Sequence, residues 1–143
     1  MKNRIIEITS VEALSDFAES IAKELSGGEV LLLSGELGAG KTTFVKKLVE
    51  ALGSDEIVTS PTFVLRNDYT ISDKMLFHID LYRLKRASVE AFEFFDSVGD
   101  ANTITCIEWP ERVTDPETIH GKKIELSFVI TGDSTRELNL VMQ

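Results

Sequence analysis

The sequence predicts an α/β fold: a three-layer core with a mixed sheet, made of central parallel strands plus antiparallel hairpins. The first observation is an apolar run at residues 30–33, followed by a glycine-rich octet and then by a helix pattern. The second is a pair of strand-like runs around a turn, which occurs at residues 63–80 and again at 123–141. The 143 residues suit one domain, residues 1–143, with no repeat or linker.

The N-terminal third predicts the order strand, helix, strand, helix. Residues 4–8 alternate as a strand, and Thr9 with Glu12 forms a capping-box pattern for the helix that follows. That helix has an apolar stripe and ends at residues 26–28. After the octet, apolar residues recur at helical spacing up to Leu52, and Gly53 is placed as the helix stop.

The remaining sequence predicts mostly strands. We expect a short helix at residues 87–95, a loop at 96–102 and loop or broken helix at 110–121. The predicted strands are 63–69, 74–80, 104–109, 123–130 and 136–141. The first two and the last two of these strands are expected to form antiparallel hairpins.

Composition excludes several classes of protein. The net charge of −9 argues against a broad nucleic-acid-binding surface, because such a surface must be cationic. No apolar run approaches a membrane span of roughly 20 residues, and the N-terminus does not resemble a signal peptide. The single cysteine, Cys106, cannot form an internal disulfide and is expected to be a buried apolar residue. Together these features predict a cytoplasmic location.

The octet at residues 35–42, G-E-L-G-A-G-K-T, is the phosphate-binding P-loop pattern G-x-x-x-x-G-K-[ST]. Gly35, Gly38 and Gly40 let the backbone turn its N–H groups toward phosphate oxygens. Lys41 can reach the β- and γ-phosphates, and the Thr42 hydroxyl can bind Mg²⁺. The order strand, glycine-rich loop, helix is the one that this chemistry needs, so we expect a P-loop NTPase-like core.

Two acidic residues at strand ends are candidates for the rest of the site. Glu108 ends a buried strand, where an acid faces the ligand crevice and can bind Mg²⁺. Asp80 and His78 share one face of their strand, so Asp80 can bind Mg²⁺ through water or orient the attacking water. A zinc site at His78 and Asp80 lacks further ligands, and a histidine in the position of His78 is more often structural.

Three further features are ambiguous from the residues alone. The segment S-P-T-F at residues 60–63 fits either a rigid turn or a switch in which Thr62 senses Mg²⁺ or the γ-phosphate. Trp109 can stack on adenine, pack beside it or belong to the core. Phe92, Phe94 and Phe95 fit either helix packing or a docking surface.

Four motifs in this order resemble the TsaE (YjeE) family. They are G-E-L-G-A-G-K-T-T-F at 35–44, S-P-T-F at 60–63, H-I-D-L-Y-R-L at 78–84 and I-E-W-P-E at 107–111. Members of that family are small bacterial P-loop ATPases that act with TsaB and TsaD to form threonylcarbamoyl-adenosine beside the anticodon of ANN-reading tRNAs. The resemblance covers residues 4–112. It departs from the family at residues 90–100, which are richer in phenylalanine.

The resemblance implies a set of roles. Gly38, Ala39, Gly40, Lys41, Thr42 and Thr43 would hold the phosphates of ATP or ADP. Thr42 and Glu108 would hold Mg²⁺, Asp80 would take part in hydrolysis, and Trp109 would lie near the nucleotide. Ser10 and Val11, at the first strand-to-helix junction, would border the adenine. The TsaB–TsaD complex would be the partner and would supply most of the tRNA contact.

Three other functions remain open at this point. A small-molecule kinase would usually carry an arginine-rich lid, and no such insertion follows the core. A GTP switch would usually carry an N/T-K-x-D motif, which is absent from the sequence. A nucleotide-dependent binding module without turnover overlaps with a partner-dependent ATPase, because a partner can complete a catalytic site.

Overall fold

The computed structural model describes residues 2–61 and 65–143. The strands are β1 (Lys2–Ile8), β2 (Glu29–Gly35), β3 (Arg66–Ile71), β4 (Lys74–Asp80), β5 (Thr103–Glu108), β6 (Lys122–Ile130) and β7 (Arg136–Met142). The helices are α1 (Val11–Glu24) and α2 (Lys41–Ala51). Short 3₁₀ turns occur at Glu93–Phe95, Pro110–Arg112 and Pro116–Thr118. No helix in these two ranges is long and apolar enough to cross a membrane.

The strands form one mixed sheet in the order β1-β7-β6-β2-β5-β4-β3. The inner pairs β6–β2, β2–β5 and β5–β4 are parallel. The outer pairs β1–β7, β7–β6 and β4–β3 are antiparallel. The predicted α/β fold with central parallel strands and antiparallel hairpins is therefore confirmed.

The two faces of the sheet are covered differently. Helices α1 and α2 pack on one face, where Phe17 and Phe44 contact each other with ring centroids 5.9 Å apart. The other face is covered by irregular segments and 3₁₀ turns from residues 81–121, which bury side chains such as Phe95 and Ile119. The apolar run of β2 lies between these layers, since Val30, Leu31 and Leu33 are completely buried. Sheet burial on both faces explains why this strand is uniformly apolar.

The start of α1 is one residue later than the capping-box pattern predicts. Ser10, not Thr9, is the N-cap, and its hydroxyl accepts a hydrogen bond from the Ala13 N–H at 3.0 Å. Ser and Thr are both favoured at the N-cap, and the Glu12 spacing points to Thr9, so the local pattern selects the wrong one of two adjacent hydroxyl residues. The end of α2 agrees with prediction, because Gly53 follows the last helical turn with φ +94°.

The predicted helix at residues 87–95 is wrong. The Ala87 N–H donates to the Arg112 carbonyl at 2.8 Å, and the Ala87 carbonyl accepts from the Thr114 N–H at 2.9 Å. The Asp115 carboxylate then accepts hydrogen bonds from the Val89 N–H and the Ser88 hydroxyl. These long-range bonds take the backbone groups that a first helical turn would use. Only the 3₁₀ turn Glu93–Phe95 remains of the predicted helix.

The phenylalanines of this segment form a small stack. The rings of Phe92 and Phe94 lie 5.1 Å apart, and those of Phe94 and Phe95 lie 4.8 Å apart. Phe95 is buried, whereas Phe92 is exposed. The stack is thus anchored in the core at one end and reaches the surface at the other.

The hairpins differ from prediction mainly at their ends. The predicted strand 63–69 is β3, which spans Arg66–Ile71, and the part of the prediction at residues 63–64 lies outside the described residues. The strand predicted at 74–80 agrees with β4. The strand predicted to reach Trp109 ends at Glu108, because Trp109 has the left-handed backbone values φ 62° and ψ 51°. This turn separates the Glu108 side chain from the segment that follows.

Candidate nucleotide-binding site

The P-loop connects the end of β2 to the start of α2. Gly40 is the N-cap of α2 with φ +106°, a conformation that an L side chain rarely adopts. Gly35 approaches β6 so closely that an added Cβ would lie 2.6 Å from the Phe128 carbonyl oxygen. At Gly38 and Gly40 the same added atom would meet nothing within 4 Å, so this part of the loop faces open space. The loop therefore has room for a ligand at the positive end of a helix.

Lys41 is the central cation of the loop and is only 4% exposed. Its ammonium group donates a hydrogen bond to the Gly35 carbonyl and lies 3.6 Å from the centroid of the Trp109 ring. Burial lowers the pKa of Lys41, while the charges of Glu108, Glu111 and Asp80 act in the opposite direction. A buried ammonium held by a carbonyl and a ring can transfer its contacts to an anionic ligand.

Thr42 and Glu108 meet beside Lys41. The Thr42 hydroxyl donates to Oε2 of Glu108 at 2.8 Å, and the Ser60 hydroxyl lies 3.4 Å from the same Thr42 oxygen. Nε2 of His78 lies 2.6 Å from Glu108 Oε2 on the buried side. Glu108 is 3% exposed and His78 is completely buried. Two neighbouring groups thus fix one oxygen of a carboxylate at the end of β5.

Asp80 completes an acidic pair. It lies in register with Glu108, on the adjacent parallel strand, and Oδ1 accepts the Tyr82 N–H at 3.0 Å. Burial raises the pKa of Asp80, and the nearby charge of Glu108 raises it further, although the bond from Tyr82 opposes the change. The sheet topology therefore brings together the two acids that the sequence separates by 28 positions.

These residues line a cleft of about 340 Å³, a size typical of small-molecule sites. The residues around it belong to the P-loop, to the ends of β4 and β5 and to the segment before β3. They are Leu37, Gly38, Gly40, Lys41, Thr42, Thr43, Ser60, Pro61, Leu65, Asp80, Tyr82, Arg83, Glu108 and Trp109. Of the S-P-T-F motif, Ser60 and Pro61 border the cleft, whereas Thr62 and Phe63 lie outside the described residues.

A second pocket, of about 280 Å³, adjoins the opposite side of the P-loop. It shares Gly38, Gly40 and Thr43 with the cleft and is also lined by Ala39. Ser10 and Val11, predicted to border the adenine, lie on its wall. Trp109 lines the cleft and contacts Lys41 there, so the structure places it at the end where Asp80 and Glu108 lie.

Arg136 is a contributor that the sequence analysis missed. Its Nε donates to the Ala39 carbonyl at 3.2 Å, and one terminal nitrogen donates to the Gly38 carbonyl at 3.3 Å. The other terminal nitrogen donates to the Gly132 and Thr135 carbonyls. Arg136 therefore ties the β6–β7 turn to the outside of the P-loop. The sequence signal was weak, since Arg136 stands almost 100 positions from the loop in a region without a motif.

The described residues fit a nucleotide phosphate and Mg²⁺. The open backbone at Gly38 and Gly40 and the buried ammonium of Lys41 suit phosphate oxygens. The hydroxyl of Thr42 and the carboxylate of Glu108 supply the oxygen ligands that Mg²⁺ prefers, and this ion usually takes its other ligands from water and substrate phosphates. Within residues 2–61 and 65–143 there is no cluster of three His, Cys, Asp or Glu side chains that could hold a metal by itself, including at His78.

Cys106 has no place in this chemistry. Its thiol is completely buried in β5. Burial, and to a smaller extent the charge of Glu108, raises the pKa of this thiol far above the usual range. A thiol in this setting stays protonated, so it is a core residue and not a nucleophile.

Comparison with known proteins gives a consistent result. The family model for TsaE, "Threonylcarbamoyl adenosine biosynthesis protein TsaE", matches residues 8–138. A protein of Aquifex aeolicus named tRNA threonylcarbamoyladenosine biosynthesis protein TsaE is 45% identical over 114 residues, covering 78% of this chain and 79% of that protein. The protein of the same name from Bacillus subtilis is 32% identical over 140 residues, covering 96% and 83%.

A solved structure agrees with the sequence comparisons. The crystal structure of YdiB from Bacillus subtilis superposes with a TM-score of 0.74 and 28% identity, and the match covers 99% of this chain and 86% of YdiB. The similarity therefore includes β6 and β7, which carry no recognisable motif. On these grounds the chain belongs to the TsaE family of threonylcarbamoyl-adenosine biosynthesis proteins.

Proposed function

We propose that this protein binds ATP and Mg²⁺, hydrolyses ATP, and thereby supports threonylcarbamoyl-adenosine formation on ANN-reading tRNAs together with a TsaB–TsaD complex. The observation that carries the proposal is the 2.8 Å hydrogen bond from Thr42 to Glu108 at the end of the P-loop. It pairs the hydroxyl and the carboxylate that hold Mg²⁺ in P-loop NTPases. The family membership supports the pathway.

The two pockets suggest how the nucleotide is oriented. The phosphates lie along Gly38, Ala39, Gly40, Lys41, Thr42 and Thr43, with the γ-phosphate toward the cleft that contains Asp80. The base and sugar lie toward the second pocket, beside Ser10 and Val11. Bound Mg²⁺ neutralises negative charge on the phosphates. Thr42 and Glu108 would hold the ion, and Lys41 would exchange its contact with the Gly35 carbonyl for one with phosphate.

Asp80 orients and deprotonates the attacking water. Its position in the cleft opposite Glu108 supports this role, and burial raises its pKa, which brings it closer to the operating pH of a general base. Lys41 stabilises the negative charge that spreads over the transferred phosphoryl group. These roles make Asp80, Glu108 and Lys41 the residues on which turnover depends.

Turnover depends on the partner in this proposal. Next to the cleft, Leu37 is 68% and Tyr82 is 45% exposed, which suits a surface that another protein covers. A partner can supply the missing catalytic charge, with a gain of ~10³–10⁵ in rate when that charge is an arginine. The net charge of −9 fits an arrangement in which the partners, not this chain, make most of the tRNA contact. The proposed role in tRNA modification supports a cytoplasmic location.

The test is phosphate release from ATP–Mg²⁺ by the protein alone and with a TsaB–TsaD complex. We expect slow release alone and at least about tenfold stimulation by the complex, as for an NTPase that is completed in trans. Tight ATP binding with no turnover in either condition would contradict the ATPase role and support a nucleotide-dependent docking module. Absence of ATP binding would contradict the whole proposal.

A further inference from the structure

The buried ring of His78 contacts the carboxylate of Glu108. Its Nε2 lies 2.6 Å from Oε2 of Glu108, the same oxygen that accepts the Thr42 hydroxyl at 2.8 Å. A metal-binding carboxylate has no proton to donate, so with Glu108 in that role His78 donates through Nε2–H and the same oxygen accepts from Thr42. The two donors approach from different elements, α2 for Thr42 and β4 for His78.

The surroundings of His78 explain why this bond is strong. The His78 side chain has no exposure to water, and Glu108 is nearly as buried. A hydrogen bond to a charged acceptor in such a low-dielectric setting is short and well oriented. The bond therefore restricts the rotation of the Glu108 carboxylate from the side away from the cleft.

The other ring nitrogen argues against a purely structural histidine. Nδ1 of His78 is buried and has no hydrogen-bond partner among the described residues. A residue needed only to fill this space would be apolar, as Leu76 is two positions earlier on the same face of β4. Leaving one polar atom unpaired has a free-energy cost, so the contact at the other nitrogen must matter.

We infer that His78 is a positioning residue that sets the orientation of Glu108 for Mg²⁺ binding. This inference rests on the proposed function, because it assigns a supporting partner to the same carboxylate. Carboxylates and imidazoles that bind metals depend on such outer partners, and losing one typically costs 10–100-fold in metal affinity or activity. His78 does not touch the nucleotide in this assignment. It acts through Glu108.

Three substitutions separate positioning from packing. His78→Gln can place an amide N–H near the position of Nε2, whereas His78→Asn is one bond shorter and cannot reach Glu108. His78→Leu fills the space without a donor. Leu76→Val is the matched control, since it alters packing on the same strand face without changing a polar contact. Melting temperatures of all four variants report the cost to folding.

The measured quantity is the Mg²⁺ concentration that gives half-maximal tight binding of a fluorescent ADP analogue to the full chain. We expect His78→Asn and His78→Leu to raise this concentration about 10–100-fold, with His78→Gln and Leu76→Val close to the unmodified protein. Binding of the analogue in EDTA should be unchanged in all variants. If His78→Leu does not fold, the difference in Mg²⁺ requirement between His78→Asn and His78→Gln still tests the role of His78.

Failure of this inference differs from failure of the proposed function. Equal Mg²⁺ requirements for the Asn, Gln and unmodified proteins would overturn the role of His78 and leave Mg²⁺-dependent nucleotide binding intact. A Leu76→Val shift as large as that of His78→Asn would also overturn it, because loss of packing would then explain both. An unmodified protein whose nucleotide binding ignores Mg²⁺ would overturn both proposals.

Discussion

Asp80 and Glu108 stand directly opposite each other at the carboxyl ends of the adjacent parallel strands β4 and β5. Glu108 is tied to Thr42 and His78, whereas the Asp80 carboxylate accepts the Tyr82 N–H at the edge of the cleft. The two acids occupy equivalent positions at strand ends but have different surroundings. In the proposed mechanism, such a difference would let Glu108 bind the metal while Asp80 handles the proton.

Replacing Asp80 by Asn should separate binding from turnover. The amide has the same shape and can still accept the Tyr82 N–H, but it cannot take a proton from water. We expect ATP affinity close to that of the unmodified protein and a hydrolysis rate about 10²–10⁴-fold lower. Phosphate release with the partner complex present measures this. Unchanged turnover would remove Asp80 from the mechanism.

The same substitution should change stability in a pH-dependent way. Since the folded-state pKa of Asp80 is raised above its ordinary value of 3.8, the folded protein holds this proton more tightly than the unfolded chain does. Ionised Asp80 therefore lowers the free energy of unfolding. This destabilisation is absent at pH values below the ordinary pKa and reaches its full size at pH values above the raised, folded-state pKa. We expect Asp80→Asn to melt higher than the unmodified protein near neutral pH, with the gap closing in acid. Thermal melts across this range test the sign, and a gap that widens in acid would contradict it.

Substitutions at Thr42 should affect the Mg²⁺-dependent part of binding. Thr42→Val has nearly the same shape but lacks the hydroxyl that meets Glu108, whereas Thr42→Ser keeps it. We expect the valine variant to lose Mg²⁺-stimulated nucleotide affinity and the serine variant to retain most of it. Titrations with and without EDTA give the comparison. Equal Mg²⁺ dependence in the two variants would show that the hydroxyl is not a ligand.

Loss of Arg136 should loosen the P-loop from outside the phosphate site. Arg136→Ala removes the donors that hold the Gly38 and Ala39 carbonyls, and charged hydrogen bonds of this kind contribute about 1.5–3 kcal/mol. We expect a lower melting temperature and weaker nucleotide binding. Arg86→Ala, at an exposed arginine, is the control for loss of one positive charge. A nucleotide affinity equal to that of the control would mean that the loop holds its shape without Arg136.

The fluorescence of Trp109 should report nucleotide binding. It is the single tryptophan in the chain, and the Lys41 ammonium lies 3.6 Å from its ring centroid. When Lys41 turns toward a phosphate, the ring loses this charge and its emission should change. Titration with ATP measures the change, and Lys41→Met, which has no charge to move, should reduce it. An identical signal in Lys41→Met would assign the change to another cause.

Features that depend on neighbouring residues could be predicted from the sequence. The P-loop and α2 follow from closely spaced glycines and helical periodicity, and the end of α2 follows from the preference for glycine just after a helix. The placement of Asp80 and Glu108 at strand ends also follows from local pattern, whereas the parallel pairing that sets them side by side is seen only in the sheet. The roles of these residues stay predictions until the variants are measured.

Features that depend on distant residues could not be predicted. Ala87 and Val89 do not form a helix because Arg112, Thr114 and Asp115 take their backbone hydrogen bonds. Arg136 reaches the P-loop only because β6 pairs beside β2. Both arrangements are set by tertiary contacts, which override local propensity.

The position of β7 between β1 and β6 has a consequence for synthesis on the ribosome. Strand β1 pairs with β7 along its whole length, from Lys2 opposite Met142 to Ile8 opposite Arg136. Strand β1 can therefore pair only after β7 has been synthesised. The pocket beside the P-loop has Ser10 and Leu138 on its wall and shares this dependence. Because pairings so distant in sequence form slowly, the wall of this pocket is completed at the end of folding. A nascent chain therefore cannot form the complete pocket until β7 has emerged from the exit tunnel.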